Sequence, residues 1–270
     1  MSEPVRILSL GAGVQSTTLA LMAAHGEIGP MPDLAIFADT GAEPEPTYEY
    51  LRWLTSPGIL PFPTKIVSAG NIRDDILQGL NTTGHRFASI PFFTLYKGKA
   101  GMARRQCTKE YKLQPIRREV SRLVGSKKRA GAVEMWIGIS LDEVIRMKPS
   151  RVKYIEHRWP LIEKRMTRSD CLSWIERKGY PRPPKSACTF CPYRSNENWI
   201  HMKETDPASF EDAVRVDHAI RANKAEGAKL RAEPYLHRSL KPLDQVDLRS
   251  ASELGQGDLF GNDCEGMCGV

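Results

Sequence analysis

The sequence predicts an α/β protein with a doubly wound, mostly parallel, Rossmann-like sheet, a helical C-terminal appendage and a flexible, cysteine-containing tail. Strand-like and helix-like patterns alternate through its first third, which is typical of a parallel sheet joined by right-handed crossovers. The strand-like segments are 5–10, 34–38 and 64–67, and the helix-like segments are 14–24, 46–54 and 72–80. In such sheets ligands bind at the carboxyl ends of the strands, so we expect a site there.

The rest of the chain alternates less regularly. Residues 87–101 indicate a loop or a hairpin near the site, 107–123 a basic helix, 133–139 a buried strand, and 206–225 a further helix. Thr167 is predicted to cap the start of another helix. We divide the chain into an α/β domain over 1–200, a helical extension over 201–249 and a polar, Gly-rich mobile tail over 250–270.

Composition limits the class of protein. Of 270 residues, 41% are hydrophobic and 26% are charged, as in folded globular proteins. No apolar run could span a bilayer, and the first residues lack a secretory signal pattern, so we expect a cytoplasmic protein without a membrane partner. The net charge is +7, partly from clusters at 104–105, 127–129 and 146–153. These clusters either form an ordinary solvated surface or attract polyanions, which would be nucleotide phosphates or a nucleic acid.

The turn after the first predicted strand organises the chain. It consists of the small residues Gly11-Ala12-Gly13 followed by Val14-Gln15-Ser16-Thr17. Backbone N–H groups in such a turn can approach an anion, and the following helix adds unpaired N–H groups and a partial positive charge. Ser9, Ser16 and Thr17 add hydroxyl groups. A phosphate cradle and an ordinary tight turn are both open, since neither the Walker nor the dinucleotide glycine pattern is present.

Six cysteines in this setting indicate metal, cluster or redox chemistry rather than disulfides. Cys188 and Cys191 form a Cys-x-x-Cys pair, which supplies half of a metal site or one edge of a cluster. Cys107 lies among basic residues at a helix start, which favours the thiolate, whereas Cys171 fits an apolar helix face. Two sites remain open, zinc or an iron–sulfur cluster, each on Cys107, Cys188, Cys191 and one tail cysteine, Cys264 or Cys268.

Four acidic residues lie at or just after predicted strand ends: Asp39, Glu43, Asp142 and Glu143. One of them could hold Mg²⁺ against a phosphate, and the alternative is a charge that complements a helix N-terminus. We favour a functional role for Asp39 and a structural role for Glu43 and Glu143.

Motifs in residues 5–200 and in the tail occur in the order known from one family. They are a pyrophosphate loop at 9–16, an Asp-Thr-Gly segment at 37–43, a Cys-Thr…Lys…Pro helix from Cys107 to Pro115, a Gly-Ile…Glu…Arg segment at 138–146, a Pro-Leu-Ile…Thr…Trp stretch at 160–174, and Cys268-Gly269. The chain therefore resembles the adenine nucleotide α-hydrolase-like (PP-loop ATP pyrophosphatase) superfamily, and most of all the phosphoadenosine phosphosulfate (PAPS) reductase-like proteins of phages and plasmids.

The resemblance implies roles for particular residues. Residues implied to bind an adenine nucleotide, ATP or PAPS with Mg²⁺, are Ser9, Gly11, Ala12, Gly13, Gln15, Ser16, Asp39, Thr40 and Gly138. Those implied to act in catalysis are Cys107, Arg146 and Cys268. In related cluster-bearing enzymes three cysteines leave one iron open for sulfur, which implies Cys107, Cys188 and Cys191 as ligands of a [4Fe–4S] cluster, and Cys264 is a further candidate metal ligand. Gln15 departs from the acidic residue of the family loop, and Ala12 replaces a glycine. Ala12 is small enough to keep the turn open provided that its φ is negative.

Three functions are compatible with these residues. In the first, which we favour, ATP adenylates an oxygen of tRNA or DNA, and sulfur from a donor protein, delivered at the cluster, displaces AMP. In the second, the chain is a PAPS or adenylylsulfate reductase, and Cys268 attacks the sulfate sulfur. In the third, it is a non-catalytic nucleotide- or nucleic-acid-binding module with structural zinc, which the neutral Gln15 allows.

Overall fold

The computed structural model describes residues 3–84, 87, 89–126, 128–225 and 230–249. The strands are β1 (Val5–Leu10), β2 (Leu34–Asp39), β3 (Thr64–Ser68), β4 (Phe93–Tyr96), β5 (Lys99–Met102), β6 (Val133–Ile137), β7 (Ile155–Arg158) and β8 (Glu233–Tyr235). The α-helices are α1 (Val14–Ala24), α2 (Glu45–Leu54), α3 (Ile72–Leu77), α4 (Gln114–Val124), α5 (Pro160–Glu163), α6 (Arg168–Arg177), α7 (Asn196–Thr205) and α8 (Pro207–Ala225).

A five-stranded sheet in the order β3-β2-β1-β6-β7 forms the centre of the fold. All four of its strand pairs are parallel. The chain builds outward from β1 to β3 and then returns to place β6 on the other side of β1. This reversal confirms the predicted doubly wound sheet and creates a crevice at the carboxyl ends of β1 and β6, the position at which such folds bind ligands.

Both faces of the sheet are buried. The neighbouring residues Ile7 and Leu8 of β1 are each 0% exposed and point into different apolar clusters, because successive side chains of a strand alternate between its faces. One cluster contains residues of α1, α2 and α6, and the other contains Ile116 and Val120 of α4. Because the strands are covered on both faces, the sequence shows continuous apolar runs rather than an alternation of apolar and polar residues.

A three-stranded antiparallel sheet, in the order β5-β4-β8, joins a hairpin in the first half of the chain to a strand near residue 234. Its β4–β5 hairpin turns at Lys97 and Gly98, which both have positive φ, and confirms the hairpin interpretation of residues 87–101. A third apolar cluster combines Ala42, Ile72, Trp199 and Leu248. The division of the chain into domains at residues 200 and 250 stays a prediction. Residue 200 lies inside α7, and the third cluster joins both sides of that position.

Element bounds differ from the prediction where the signal was short. The predicted N-cap at Thr167 is confirmed, since its hydroxyl accepts a hydrogen bond from Asp170 N at 3.2 Å in a capping box. Cys171 is fully buried in the core, as expected. The prediction omits β7 and α7, because each presents few apolar residues at a regular spacing. Within the described residues no helix is long and apolar enough to cross a membrane.

Candidate functional site

The β1–α1 turn, residues 11–17, closes on itself through one hydroxyl group. Ser16 Oγ accepts a hydrogen bond from Gly11 N at 3.1 Å and donates one to the Gly13 carbonyl at 3.3 Å. Gly13 is the extended N-cap of α1, and no side chain caps the helix there. The first N–H groups of α1 therefore face the carboxyl edge of the sheet without a side-chain acceptor from the N-cap, as an anion-binding turn requires.

Ala12 is the bend in this turn. Its φ is +54° rather than negative, and its side chain is fully buried. Glycine adopts this left-handed conformation freely, whereas an L-residue is strained there. The chain returns from β1 to α1 within three residues, and this sharp reversal imposes the conformation.

Gly138, directly after β6, lies against the same turn. A Cβ atom at this position would lie 2.8 Å from Ser16 N and 2.9 Å from Ser16 Cα, closer than real Cβ atoms approach backbone. Glycine is therefore required if the residue after β6 is to lie against the first turn of α1. The sequence assigned Gly138 to nucleotide binding, and the structure places it at the rim of the crevice.

An open cleft with an empty volume of about 610 Å³ lies over this turn. Most of the residues expected to bind nucleotide line it, namely Ser9, Gly11, Gly13, Gln15, Ser16 and Gly138. The predicted catalytic residue Arg146 lines it as well. Arg168, Lys185 and Ser186 also line it, and sequence reasoning missed them. Arg168 is the first residue of α6, just after the predicted cap, and Lys185 precedes the Cys-x-x-Cys pair, but neither has a motif of its own.

Arg168 carries an unsatisfied donor. Its Nε is buried and has no hydrogen-bond partner within the described part of the chain, although its backbone N–H donates to Asp142 Oδ1 at 3.0 Å. A buried donor without a partner costs free energy, about 1–3 kcal/mol for a neutral group and more for a charged one. An anion in the cleft would satisfy this guanidinium group, so the geometry favours a negatively charged ligand.

The side-chain amide of Gln15 does not face the cleft. It joins the β1–α1 turn to the segment that follows β6. Its Nε2 donates to Glu143 Oε2 at 3.1 Å and to Ser140 Oγ at 3.4 Å. Glu143 is also ion-paired with Arg146, three residues further along the 3₁₀ segment Leu141–Arg146. Gln15 therefore helps to hold Arg146 at the cleft, and this contact supports the structural role expected for Glu143.

Asp39, at the end of β2, is engaged by its own loop. Its Oδ1 accepts hydrogen bonds from Gly41 N and from the Tyr48 hydroxyl, each at 2.8 Å. Burial, and then the contact with Asp39, raises the pKa of Tyr48 above its usual value, so the phenol stays protonated as the donor. Asp39 is not among the residues that line the cleft, and its nucleotide role stays a prediction.

Three cysteines meet in a second cavity of about 410 Å³, the cysteine cavity. Its walls include Cys107, Cys188, Cys191, Thr40 and the cations Arg105 and Lys112. Thr40 Oγ1 lies 3.6 Å from Cys188 Sγ, so Thr40 faces a thiol rather than the cleft. Cys107 directly precedes a π-helix, Thr108–Leu113, a rare form that is frequent at functional sites.

A buried ion pair separates the cleft from the cysteine cavity. Lys112 Nζ donates to Glu43 Oε1 at 3.1 Å, and Ser186 Oγ donates to Glu43 Oε2 at 3.3 Å. The Glu43 side chain is 0% exposed. Thr189 N also donates to the Ala42 carbonyl at 2.9 Å. These bonds fix the Cys-x-x-Cys loop to the segment after β2, and the structural role expected for Glu43 agrees with this position.

The arrangement of the thiols bears on the kind of group they could hold. Among the described residues, no three His, Cys, Asp or Glu side chains are grouped so that they could hold one metal ion. A cubane cluster makes a different demand, because each cysteine binds a separate iron. Three thiols and the apolar residues Ile72 and Ile90 line the same cavity, and a cysteine-ligated cluster there stays a prediction. The predicted Cys264 and Cys268 lie outside the described residues.

No protein-family model matches the chain, and a comparison with curated proteins finds no match. Among solved structures, the phosphate complex of the PAPS reductase from Candida auris is similar, with a TM-score of 0.41 and 13% sequence identity, over 67% of this chain and 76% of that one. A likeness of this size carries no argument about activity. The fold class here rests on the parallel pairing and strand order of the central sheet.

Proposed function

We propose that the chain is an adenine-nucleotide-dependent enzyme that binds ATP with its phosphates on the β1–α1 turn. The observation that carries this proposal is the buried, unsatisfied Nε of Arg168 in a cleft that also contains Arg146, Lys185 and the start of α1. Three cations and a helix N-terminus converge on a cleft that contains no carboxylate among its described lining residues. Such a site suits a polyphosphate.

The proposed reaction is adenylation followed by sulfur transfer. An oxygen of the acceptor attacks the α-phosphorus of ATP, the bond to the bridging oxygen breaks, and pyrophosphate leaves with its electron pair. In the adenylated acceptor, AMP is then a good leaving group. A donor protein supplies sulfide, which attacks the adenylated carbon of the acceptor; the carbon–oxygen bond breaks, and AMP leaves with that oxygen and the electron pair. Arg146, Arg168 and Lys185 would stabilise the charge that develops on the phosphates, and Mg²⁺ would accompany the nucleotide.

The cysteine cavity would hold the iron–sulfur group. Cys107, Cys188 and Cys191 would be its ligands, with Arg105 and Lys112 reducing the cost of its negative charge. Such a cluster, when bound, would supply an iron at which a sulfur species can coordinate. The Glu43–Lys112 pair would fix the distance between this cavity and the cleft.

The proposal is tested on anaerobically purified protein. Iron, sulfide and zinc are assayed, and equilibrium binding of ATP, ADP, AMP and PAPS is measured by calorimetry. We expect ATP to bind, and Arg168→Ala to weaken it at least tenfold, whereas Lys164→Ala, an exposed cation outside the cleft, leaves it unchanged. No ATP binding at millimolar concentration would refute the proposal. Preference for PAPS, with sulfite release lost in Cys268→Ser, would replace it by the reductase.

A further inference from the structure

A large basic groove continues from the nucleotide cleft. It has an empty volume of about 1,610 Å³ and lies between α4, the ends of β6 and β7, and the segment after the 3₁₀ turn. Its cationic walls are formed by Arg105, Lys109, Arg117, Arg146, Lys148 and Arg151. No carboxylate is among its described lining residues. Two of the basic clusters of the sequence therefore converge on one concave surface instead of dispersing over the protein.

Four of these six cations have no acidic partner among the described residues. Lys109, Arg117, Lys148 and Arg151 form no ion pair within the described ranges, whereas cations elsewhere, such as Arg73 with Asp212, are paired. Like charges in one groove repel one another, and this repulsion is relieved when an anion binds. Burial, and to a lesser extent Arg117, lowers the pKa of His157 in the same wall, so this residue adds no further positive charge at neutral pH.

The rim of the groove is apolar. Ile145 lines it and is 90% exposed, and its neighbours Leu141 and Val144 are 40% and 44% exposed. Together the three residues form a patch of exposed aliphatic side chains, and contiguous patches of this kind are typical of contact surfaces. A ligand that matches this groove has both repeated negative charge and apolar faces. Inorganic polyphosphate has the first property and lacks the second.

The groove is continuous with both parts of the site. It shares Ser9, Ile137 and Arg146 with the nucleotide cleft, and it shares Arg105 with the cysteine cavity. A strand that lies in it would pass from the phosphates of ATP towards the thiols. Chemistry on a base requires that the base leave its stack, so an unpaired strand reaches such a site at lower cost than a duplex.

We propose that the basic groove binds a single strand of nucleic acid, and that this strand is the acceptor of the reaction. The phosphates contact the unpaired cations, and bases pack against Ile145. The inference rests on the proposed function only for the identity of the acceptor, because binding in the groove requires no nucleotide. The groove thus defines the substrate class as a single-stranded polynucleotide, RNA or DNA.

The test is fluorescence anisotropy with labelled single-stranded RNA and DNA 12-mers and a duplex of the same sequence, at several salt concentrations. We expect both single strands to bind more tightly than the duplex. In Lys148→Ala/Arg151→Ala the slope of log affinity against log salt should fall by about 1.4, at about 0.7 per lost phosphate contact. Lys164→Ala/Arg182→Ala removes the same charge from exposed positions outside the groove and should leave the slope unchanged.

Ile145→Ser separates recognition of bases from attraction of charge. It should weaken binding of the 12-mers several-fold at an unchanged salt slope and leave binding of inorganic polyphosphate unaltered. Equal affinity for the duplex and the single strands would overturn the inference. So would an equal decrease in salt slope in Lys148→Ala/Arg151→Ala and in Lys164→Ala/Arg182→Ala. ATP binding without oligonucleotide binding refutes the groove alone, and oligonucleotide binding without ATP binding refutes the proposed function alone. Comparing the RNA and DNA affinities identifies which polynucleotide is preferred.

Discussion

The side-chain amide of Gln15 lies 3.1 Å from Glu143 Oε2, so the β1–α1 turn is hydrogen-bonded to the segment that carries Arg146. Gln15 is only 7% exposed. Gln15→Glu would place two carboxylates in contact at this buried position, and we expect it to lower the free energy of unfolding by about 1–3 kcal/mol. Urea unfolding at pH 7 measures the loss, which should shrink in acid as one carboxyl is protonated.

Gln15→Met is the matched control for this prediction, because it keeps the length of the side chain and removes the amide group without adding a charge. It should cost about 1 kcal/mol and show no recovery in acid. If Gln15→Glu were as stable as the wild type at pH 7, the contact with Glu143 would not contribute to stability.

Gly138→Ala should disturb the turn directly. Its Cβ would collide with the backbone of Ser16, which cannot rotate away as a side chain could. We expect a loss of about 1–3 kcal/mol, as for overpacked sites, and ATP binding weakened at least tenfold. Gly11→Ala is the control for stability, because its Cβ would meet Ser16 Oγ at an ordinary 3.6 Å. Equal unfolding free energies for the two variants would contradict the close approach.

Lys112→Met isolates the buried ion pair. It leaves the Glu43 carboxylate without its cation in a fully buried position, which typically costs about 3–5 kcal/mol. In the double variant Lys112→Met/Glu43→Gln the charge is gone, and most of this loss should be recovered. Lys178→Met breaks the half-exposed pair with Glu27 and should cost less than about 1 kcal/mol. Urea unfolding of all four proteins shows whether the loss comes from the uncompensated Glu43 carboxylate.

His237 makes stability depend on pH. Burial, and to a lesser extent Arg238, lowers the pKa of His237 to about 4 from an ordinary 6.5. Its Nδ1 accepts a hydrogen bond from Ser239 N at 3.1 Å, so the neutral ring is the one that fits. The unfolded chain then binds the extra proton first, and stability is complete above pH 6.5 and falls as the pH drops towards 4.

The expected loss between pH 7 and pH 5 is about 2 kcal/mol from this residue alone. His237→Gln lacks the titrating ring and should lose that part of the pH dependence, even if it is less stable throughout. The measurement is urea unfolding at half-unit steps of pH. An identical pH slope in the variant and the wild type would show that His237 does not titrate in this way.

The central sheet was predictable from the sequence because its strands are covered on both faces. Leu34–Asp39 forms an apolar run, and α1 was assigned from Val14 to Ala24, as observed. The Thr167 cap was predictable for a similar reason, since a capping box depends on residues three positions apart. Local patterns of this kind do not depend on distant parts of the chain.

The rest of the site depends on contacts that no local pattern records. Arg168 and Lys185 reach the cleft only because α6 and the Cys-x-x-Cys loop fold back over the β1–α1 turn. Ala12 could not be assigned its positive φ, because residue type alone favours a negative one. The pairing of Thr40 with Cys188 joins positions far apart in the chain and was invisible to motif spacing.

The pairing of β4 with β8 determines when the cysteine cavity can form during synthesis. The central sheet is complete once residue 158 has been made, whereas the core behind the thiols includes Leu236, Leu243 and Leu248. Because those residues are made long after β7, the core behind the thiols is completed later than the central sheet. A group held by the three thiols would therefore meet a finished pocket only after residue 248 has been made.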